Sequence, residues 1–263
     1  MFNLNEGLVY YISTLGINVT QFTLILVSFT LVSMLTGYLL GSVNSAIVVS
    51  RLLYRDDIRK YGSKNAGLTN MLRTYGKAAA GLTLLGDFLK TAISVFIGGI
   101  LGGFCYIGGI SYGGLTSGGI PFTYIAGFFS IIGHVWPIFY KFKGGKGVLC
   151  TAVMALILNP FEFCILILLF ILVVGTTKYV SLGSVTVAML YPVAVSGHIK
   201  FLSAINSALP GQSGIMALIT ILIPIFIVYC HRENLKRISQ GTERKLSIGS
   251  KKKENDDSPR GDA

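Results

Sequence analysis

The stretch FKGGKGVLCTAVMALILNPFEFCILILLFILVVGTT, residues 142–177, decides the fold. It opens on Phe142-Lys143-Gly144-Gly145-Lys146-Gly147 and runs into two apolar segments, 148–158 and 161–177, divided by Asn159-Pro160. Proline cannot continue the hydrogen-bond ladder of a helix, so this pair separates two elements. A complete membrane crossing takes about 20 residues. The first segment is clearly too short for that and the second is marginal. Such segments enter a bilayer part of the way, with irregular backbone lining a protected cavity. Bare glycine amides beside fixed ammonium groups make a cradle for phosphate. The stretch therefore places a phosphate-handling loop against membrane-length helices.

Working outward, five further apolar segments appear at 22–50, 78–107, 121–140, 182–198 and 213–230. The 263-residue chain is 52% hydrophobic and only 13% charged, with a mean hydropathy of +0.68. Soluble domains carry about 25% charged residues. The expected fold is an all-α polytopic integral membrane protein of about seven transmembrane helices, some short or partial. Residues 1–243 are expected to form a single transmembrane unit. Residues 244–263, with Lys251-Lys252-Lys253 followed by acids, cannot bury enough apolar surface and are expected to be a disordered charged tail. The glycine-rich stretch from Gly98 to Gly119 suits close helix packing and loops rather than chemistry. Four scattered cysteines show no metal-ligand or disulfide spacing. Acidic Glu6 without a basic segment gives no sign of a cleavable signal peptide.

The formal net charge is +11. In a membrane chain this reads as basic loops facing anionic lipid heads, so no nucleic-acid partner is expected. If the N-terminus faces outward, seven crossings put the C-terminus inside. Every Lys and Arg then falls on the inner side except Lys90, within a segment, and Lys200. This follows the positive-inside rule and sets all the polar motifs on the inner face.

Four places could carry chemistry. Gly62-Ser63-Lys64-Asn65-Ala66-Gly67-Leu68-Thr69-Asn70, with Arg73, reads as a polar loop. Ser63, Asn65, Thr69 and Asn70 offer hydrogen bonds, and Arg73 offers a planar fork for phosphate. The glycine–lysine run is the second, with His134 upstream as a structural hydrogen-bonding group. Because Gly147 follows Lys146, the nucleotide motif GxxxxGK[ST] is absent. Asp87 and Lys90, three apart within a helix, are placed to pair. Ser181 lies at the inner end of one segment, and His231 and Asn234 share a helical face at the end of the last.

Taken together, the set resembles the bacterial acyl-phosphate:glycerol-3-phosphate acyltransferases. The resemblance rests on Tyr38-Leu39-Leu40-Gly41-Ser42, the Gly62–Asn70 block with Arg73, Asp87-Phe88-Leu89-Lys90, Gly133-His134 through Gly147-Val148, Tyr179-Val180-Ser181-Leu182, and His231-Arg232-Glu233-Asn234 with Gly241 and Glu243. It covers the chain to about residue 245. The family pattern is departed from at Asn44, Lys64, Leu68 and Leu149-Cys150, and Lys64 adds a charge beside the first block.

The resemblance implies seven helices in the cell membrane, an outward N-terminus, an inward C-terminus and a site on the cytoplasmic side. It implies transfer of an acyl chain from acyl phosphate to the 1-hydroxyl of glycerol 3-phosphate, releasing lysophosphatidic acid and inorganic phosphate for phospholipid synthesis. On this reading Ser63, Arg73, Lys146, His231 and Asn234 are catalytic. Asn65, Thr69, Asn70, Gly144, Gly145, Gly147 and Ser181 bind substrate, and Asp87, Lys90 and His134 support them. The two phosphate-bearing substrates and the bilayer are the partners, and no metal or cofactor is expected.

Two dianionic groups held close together demand cations and amide donors, and an acyl phosphate is already activated. Direct attack by the glycerol hydroxyl is the expected route, with rate drawn from orientation and charge stabilisation. The proton goes either to a donor phosphate oxygen or to His231, which could otherwise orient phosphate with Asn234. No Ser-His-acid spacing supports Ser63 or Ser181 as an acyl nucleophile. Acyltransferases with an acid five residues after the catalytic histidine are excluded, since Phe139, Ser203 and Lys236 occupy those places. A transporter of anions or phosphate esters is the rival reading. It would favour paired internal repeats, and neither polar block has a second copy.

Overall fold

A computed structural model describes residues 7–107, 110–113, 121–205 and 214–246. It is helical apart from one two-stranded antiparallel hairpin, Phe104–Ile107 against Ile110–Gly113. The helices are α1 (Gly7–Ser13), α2 (Val19–Ser42), α3 (Ser45–Tyr54), α4 (Leu68–Tyr75), α5 (Lys77–Gly102), α6 (Phe122–Val135), α7 (Val148–Leu158), α8 (Pro160–Thr177), α9 (Val180–Ile205) and α10 (Gly214–Ser239). Six stretches among the described residues are long and apolar enough to cross a membrane, and α7 is a shorter apolar helix. The chain is a multi-span membrane protein, with the short fourth segment as expected.

Several boundaries differ from the sequence reading. The first apolar run breaks at Val43-Asn44, where Asn44 caps α3 by accepting from the Ile47 amide at 3.1 Å. The hydropathy dip at Gly41-Ser42-Val43-Asn44-Ser45 is too brief to have ended the expected 22–50 segment. α9 and α10 both run past the expected ends and through Pro192 and Pro224. Neighbouring helices in a membrane bundle tolerate such interruptions. Leu68-Thr69-Asn70, read as loop, forms the first turn of α4 instead. Of the glycine-rich stretch, Gly98 and Gly102 pack against Phe122, and residues 108–109 and 114–120 lie outside the described residues. So do residues 247–263, most of the expected tail.

α2 and α6 cross backbone to backbone. A Cβ on Gly41 would sit 2.2 Å from the Ser130 carbonyl oxygen, and one on Gly133 would sit 2.2 Å from that of Tyr38. Small residues at such a crossing are what lets membrane helices associate, since lipid supplies no hydrophobic drive between them. Tyr124, Ile131, Met154, Leu158, Ile223 and Ile227 form the buried core behind that crossing. Leu31 and Leu35 of α2 and Leu168 and Leu172 of α8 turn outward as a lipid-facing surface.

Candidate active site

The break at Asn44 begins the assembly of the site. The Asn44 side-chain amide donates to the Ala66 carbonyl at 3.3 Å, holding the 55–67 loop under the first span. Asn70, at the start of α4, ties that loop to itself. Its side-chain nitrogen donates to the carbonyls of Tyr61 and Asn65, and its oxygen accepts the Ser63 amide at 2.9 Å. Asn70 lines the cavity while its side-chain polar atoms bond within the loop. Arg59, read from sequence only as an inner cation, donates to the carbonyls of Tyr140 and Lys143, both at 2.9 Å, while gripping Asp57. It clamps the two polar loops side by side.

A second buried cluster lies beneath. Lys90 pairs with Asp87 at 2.8 Å, meets the His134 ring nitrogen at 2.9 Å and donates to the Val43 carbonyl at 3.0 Å. This joins α5 and α6 to the break in the first span. Asp87 and His134 reach the cavity wall, whereas Lys90 does not.

The glycine run behaves differently from the expected cradle. The amides of Gly144 and Gly145 donate to the carbonyls of Val135 and His134 at 3.0 and 3.1 Å. A Cβ on Gly145 would lie 2.0 Å from the His134 ring. Gly147 opens α7 with a left-handed φ of 79° and packs against Ile131. None of the three lines the cavity. The bonded amides of Gly144 and Gly145 and the tight surroundings of all three glycines favour a packing role over the expected phosphate cradle.

Two other sets of amides open onto the cavity. Neither α4 nor α7 has a side-chain cap at its N-terminus. Leu68 and Thr69 of α4, and Val148 and Leu149 of α7, line the wall. Uncapped first-turn N–H groups with the helix dipole behind them attract anions.

The cavity measures about 640 Å³. Ser63, Asn65, Thr69, Asn70, Arg73, Lys146, Ser181, His231 and Asn234 all reach it. Arg73 is exposed at the cavity wall, and its side chain has no hydrogen-bond or ion-pair partner among the described residues. Partial burial at that wall and the Arg244 guanidinium press its pKa below the ordinary value. Lys146 donates to the Asn234 side-chain oxygen, and burial pushes its pKa down to about 8 despite nearby Glu243.

The His231 Nδ1 lies 2.8 Å from the Ile227 carbonyl. A carbonyl can only accept, so Nδ1 carries the proton and the neutral ring keeps Nε2 as its acceptor.

Glu243 is the residue that sequence reasoning left out of the site. It accepts from Ser181 at 2.8 Å, Asn234 at 2.6 Å and Arg237 at 2.7 Å. Burial works against its charge, but those donors outweigh it and hold its pKa below the usual range. Ser181 thus spends its hydroxyl proton on Glu243. Beyond it, Arg244 and Leu246 also line the cavity, and the Leu246 amide donates to the Lys178 carbonyl at 2.7 Å. The first residues of the expected tail are a wall of the site. The match of Gly241 and Glu243 to the resembled pattern was the available signal.

Away from this polar mouth the cavity is apolar. Leu149, Ala152 and Ala155 of α7, Phe163, Leu166 and Phe170 of α8, and Val187 and Ala188 of α9 line it. The arrangement can hold two anions at one end and a hydrocarbon chain at the other.

Comparison with known proteins gives a consistent picture. The family model described as glycerol-3-phosphate acyltransferase matches residues 31–241. A glycerol-3-phosphate acyltransferase of Syntrophomonas wolfei is 38% identical over 210 residues, covering 80% of this chain and 93% of the relative. One of Mycoplasmopsis agalactiae is 38% identical over 228 residues, covering 81% and 92%. The crystal structure of PlsY (YgiH), an integral membrane glycerol 3-phosphate acyltransferase, in its glycerol 3-phosphate form has a TM-score of 0.64 at 29% identity, covering 83% of this chain and 96% of that one.

Proposed function

The chain belongs to the glycerol-3-phosphate acyltransferase family, and from that premise we propose how its cavity performs the transfer. It is a membrane acyltransferase of phospholipid synthesis that acylates glycerol 3-phosphate. The donor on our reading is an acyl phosphate, whose phosphate shares the polar mouth with that of the acceptor.

One observation carries this reading: two uncapped helix N-termini, α4 with Arg73 and α7 with Lys146, open onto one cavity whose other end is apolar. Each is an anion site with its own cation, so two phosphates can be neutralised side by side. The acyl chain lies between α7, α8 and α9. The 1-hydroxyl oxygen attacks the acyl carbon, the bond from that carbon to the phosphate oxygen breaks, and phosphate leaves with the electron pair. The hydroxyl proton passes either to the departing phosphate or to His231 Nε2. Asn234 holds the Lys146 ammonium in place, while Ser63, Asn65 and Thr69 supply hydrogen bonds at the mouth. Holding the reactants in this order can lower the barrier by about 7–11 kcal/mol.

The polar mouth faces the cytoplasm on this proposal, with the N-terminus outside. Arg55, Lys60, Lys141, Lys143 and Lys178 surround it in the chain, as the positive-inside rule asks.

The test is phosphate release from palmitoyl phosphate in detergent, with and without glycerol 3-phosphate. Release that depends on the acceptor, with matching lysophosphatidic acid, is expected from the wild type and not from Lys146→Ala. Acceptor-independent release, or none, overturns the reading.

A further inference from the structure

The apolar arm of the cavity has a built end. Ser181, Ser184, Ala188 and Tyr191 line it on successive turns of α9. The ten helical steps from Ser181 to Tyr191 span about 15 Å along α9. α7 follows the same path from Leu149 to Ala155, and α8 runs back from Phe170 to Phe163. Ala155, Phe163 and Tyr191 are the last lining residues on each wall.

Tyr191 is 2% exposed and donates its hydroxyl to the Asn159 side-chain oxygen at 2.8 Å. Tyr124 donates to the same oxygen at 2.7 Å. Asn159 is wholly buried at the junction of α7 and α8. The Tyr191 ring is therefore tied at its far end and cannot swing aside as a phenylalanine could. At the start of α8 the Asn159 side-chain nitrogen and one Glu162 carboxylate oxygen are buried without a hydrogen-bond partner among the described residues. A methyl terminus pushed past the ring would meet those polar groups rather than hydrocarbon. The residues around the ring are small on two walls, Ala155 and Ala188, which leaves a bore for a chain end.

We propose that Tyr191, held by Asn159, is the floor of the acyl tunnel and sets the longest chain the enzyme accepts. The inference rests on the reading of this cavity as the acyl-phosphate site. Chains ending above the ring gain apolar burial with each added methylene. Chains that reach it must displace the ring or buckle.

The experiment uses the purified full chain in detergent with glycerol 3-phosphate and decanoyl, palmitoyl and stearoyl phosphates. Lysophosphatidic acid of each length is quantified. Ala188→Leu narrows the tunnel above the floor, and the palmitoyl-to-decanoyl ratio of kcat/KM is expected to fall about tenfold, the scale on which apolar pockets discriminate methylenes. Ala155→Leu on the facing wall is expected to do the same, so the failure of one variant to fold leaves the other. Tyr191→Phe keeps the ring but cuts the tether, and the stearoyl-to-palmitoyl ratio is expected to rise about threefold, a modest step on that same scale. A merely structural role for these residues would lower all chains alike. Unchanged ratios in folded, active variants overturn the floor alone. No turnover of any chain by the wild type overturns the donor reading and the floor with it.

Discussion

The ammonium of Lys146 donates to the side-chain oxygen of Asn234, a neutral group that itself donates to Glu243. The lysine is thus oriented through an amide rather than neutralised by a carboxylate, and its charge stays available to a bound anion. Burial pushes its pKa down to about 8. The charged form is the protonated one, so the cation is present below that pH and is lost above it. The kcat/KM is expected to fall as pH rises through about 8. Lys146→Arg, whose guanidinium stays charged, is expected to flatten that limb of the profile. A limb that is identical in wild type and Lys146→Arg would contradict the assignment.

The Arg73 side chain lines the cavity without a hydrogen-bond or ion-pair partner among the described residues. Arg73→Ala is expected to lower kcat/KM by about 100-fold or more, the scale seen when one charge-stabilising donor is removed. Arg73→Lys keeps the charge but loses the two-pronged geometry, and is expected to recover about tenfold of that loss. Steady-state kinetics on protein of unchanged helicity checks both.

His231 gives its Nδ1 proton to the Ile227 carbonyl. Asparagine can retain that bond while removing Nε2. If Nε2 takes the hydroxyl proton, His231→Asn is expected to keep the thermal stability of the wild type and to lose about 100-fold in kcat, within the range of general-base contributions. A turnover near wild type would assign the proton to the departing phosphate.

Glu243 gathers three donors from α9 and α10. Hydrogen bonds to a charged acceptor are worth roughly 1.5–3 kcal/mol each, and Glu243→Gln weakens all three. A fall of several degrees in Tm is expected, together with a drop in kcat/KM of about tenfold as Asn234 and Lys146 lose their fixed position. Detergent thermal unfolding and kinetics on the same preparation measure both.

Gly145 distinguishes packing from phosphate binding within the glycine run. A Cβ there would lie 2.0 Å from the His134 ring and 2.7 Å from the Ala66 carbonyl. Gly145→Ala is expected to lower Tm markedly and to reduce kcat and folded yield together. An unchanged Tm with a raised KM alone would restore the cradle.

The spans were legible because lipid demands long apolar helices, and the short α7 announced itself through Asn159-Pro160. The break at Asn44 was missed, since the polar run Gly41-Ser42-Val43-Asn44-Ser45 is short and long apolar runs lie beyond it on both sides. Lys146, His231 and Asn234 could be found from residue type and helical spacing. The use made of Gly144 and Gly145 could not, because the same residues serve as anion donors or as packing surfaces, and only their bonded amides decide. Glu243 was hidden by position: it stands at the edge of a charged segment whose composition reads as disorder. Arg59 was hidden by its company, one cation among many, until its two carbonyl partners were seen.

The position of Glu243 has a consequence for biogenesis. The loop bearing Arg73, the α7 terminus bearing Lys146 and the α9 wall bearing Ser181 are all made before it. A nascent chain with every other site residue already made still lacks the carboxylate that bonds Asn234 and Ser181 and the segment that carries Arg244 and Leu246. On our proposal the cavity wall is complete only once Glu243 to Leu246 have followed α10 out of the ribosome.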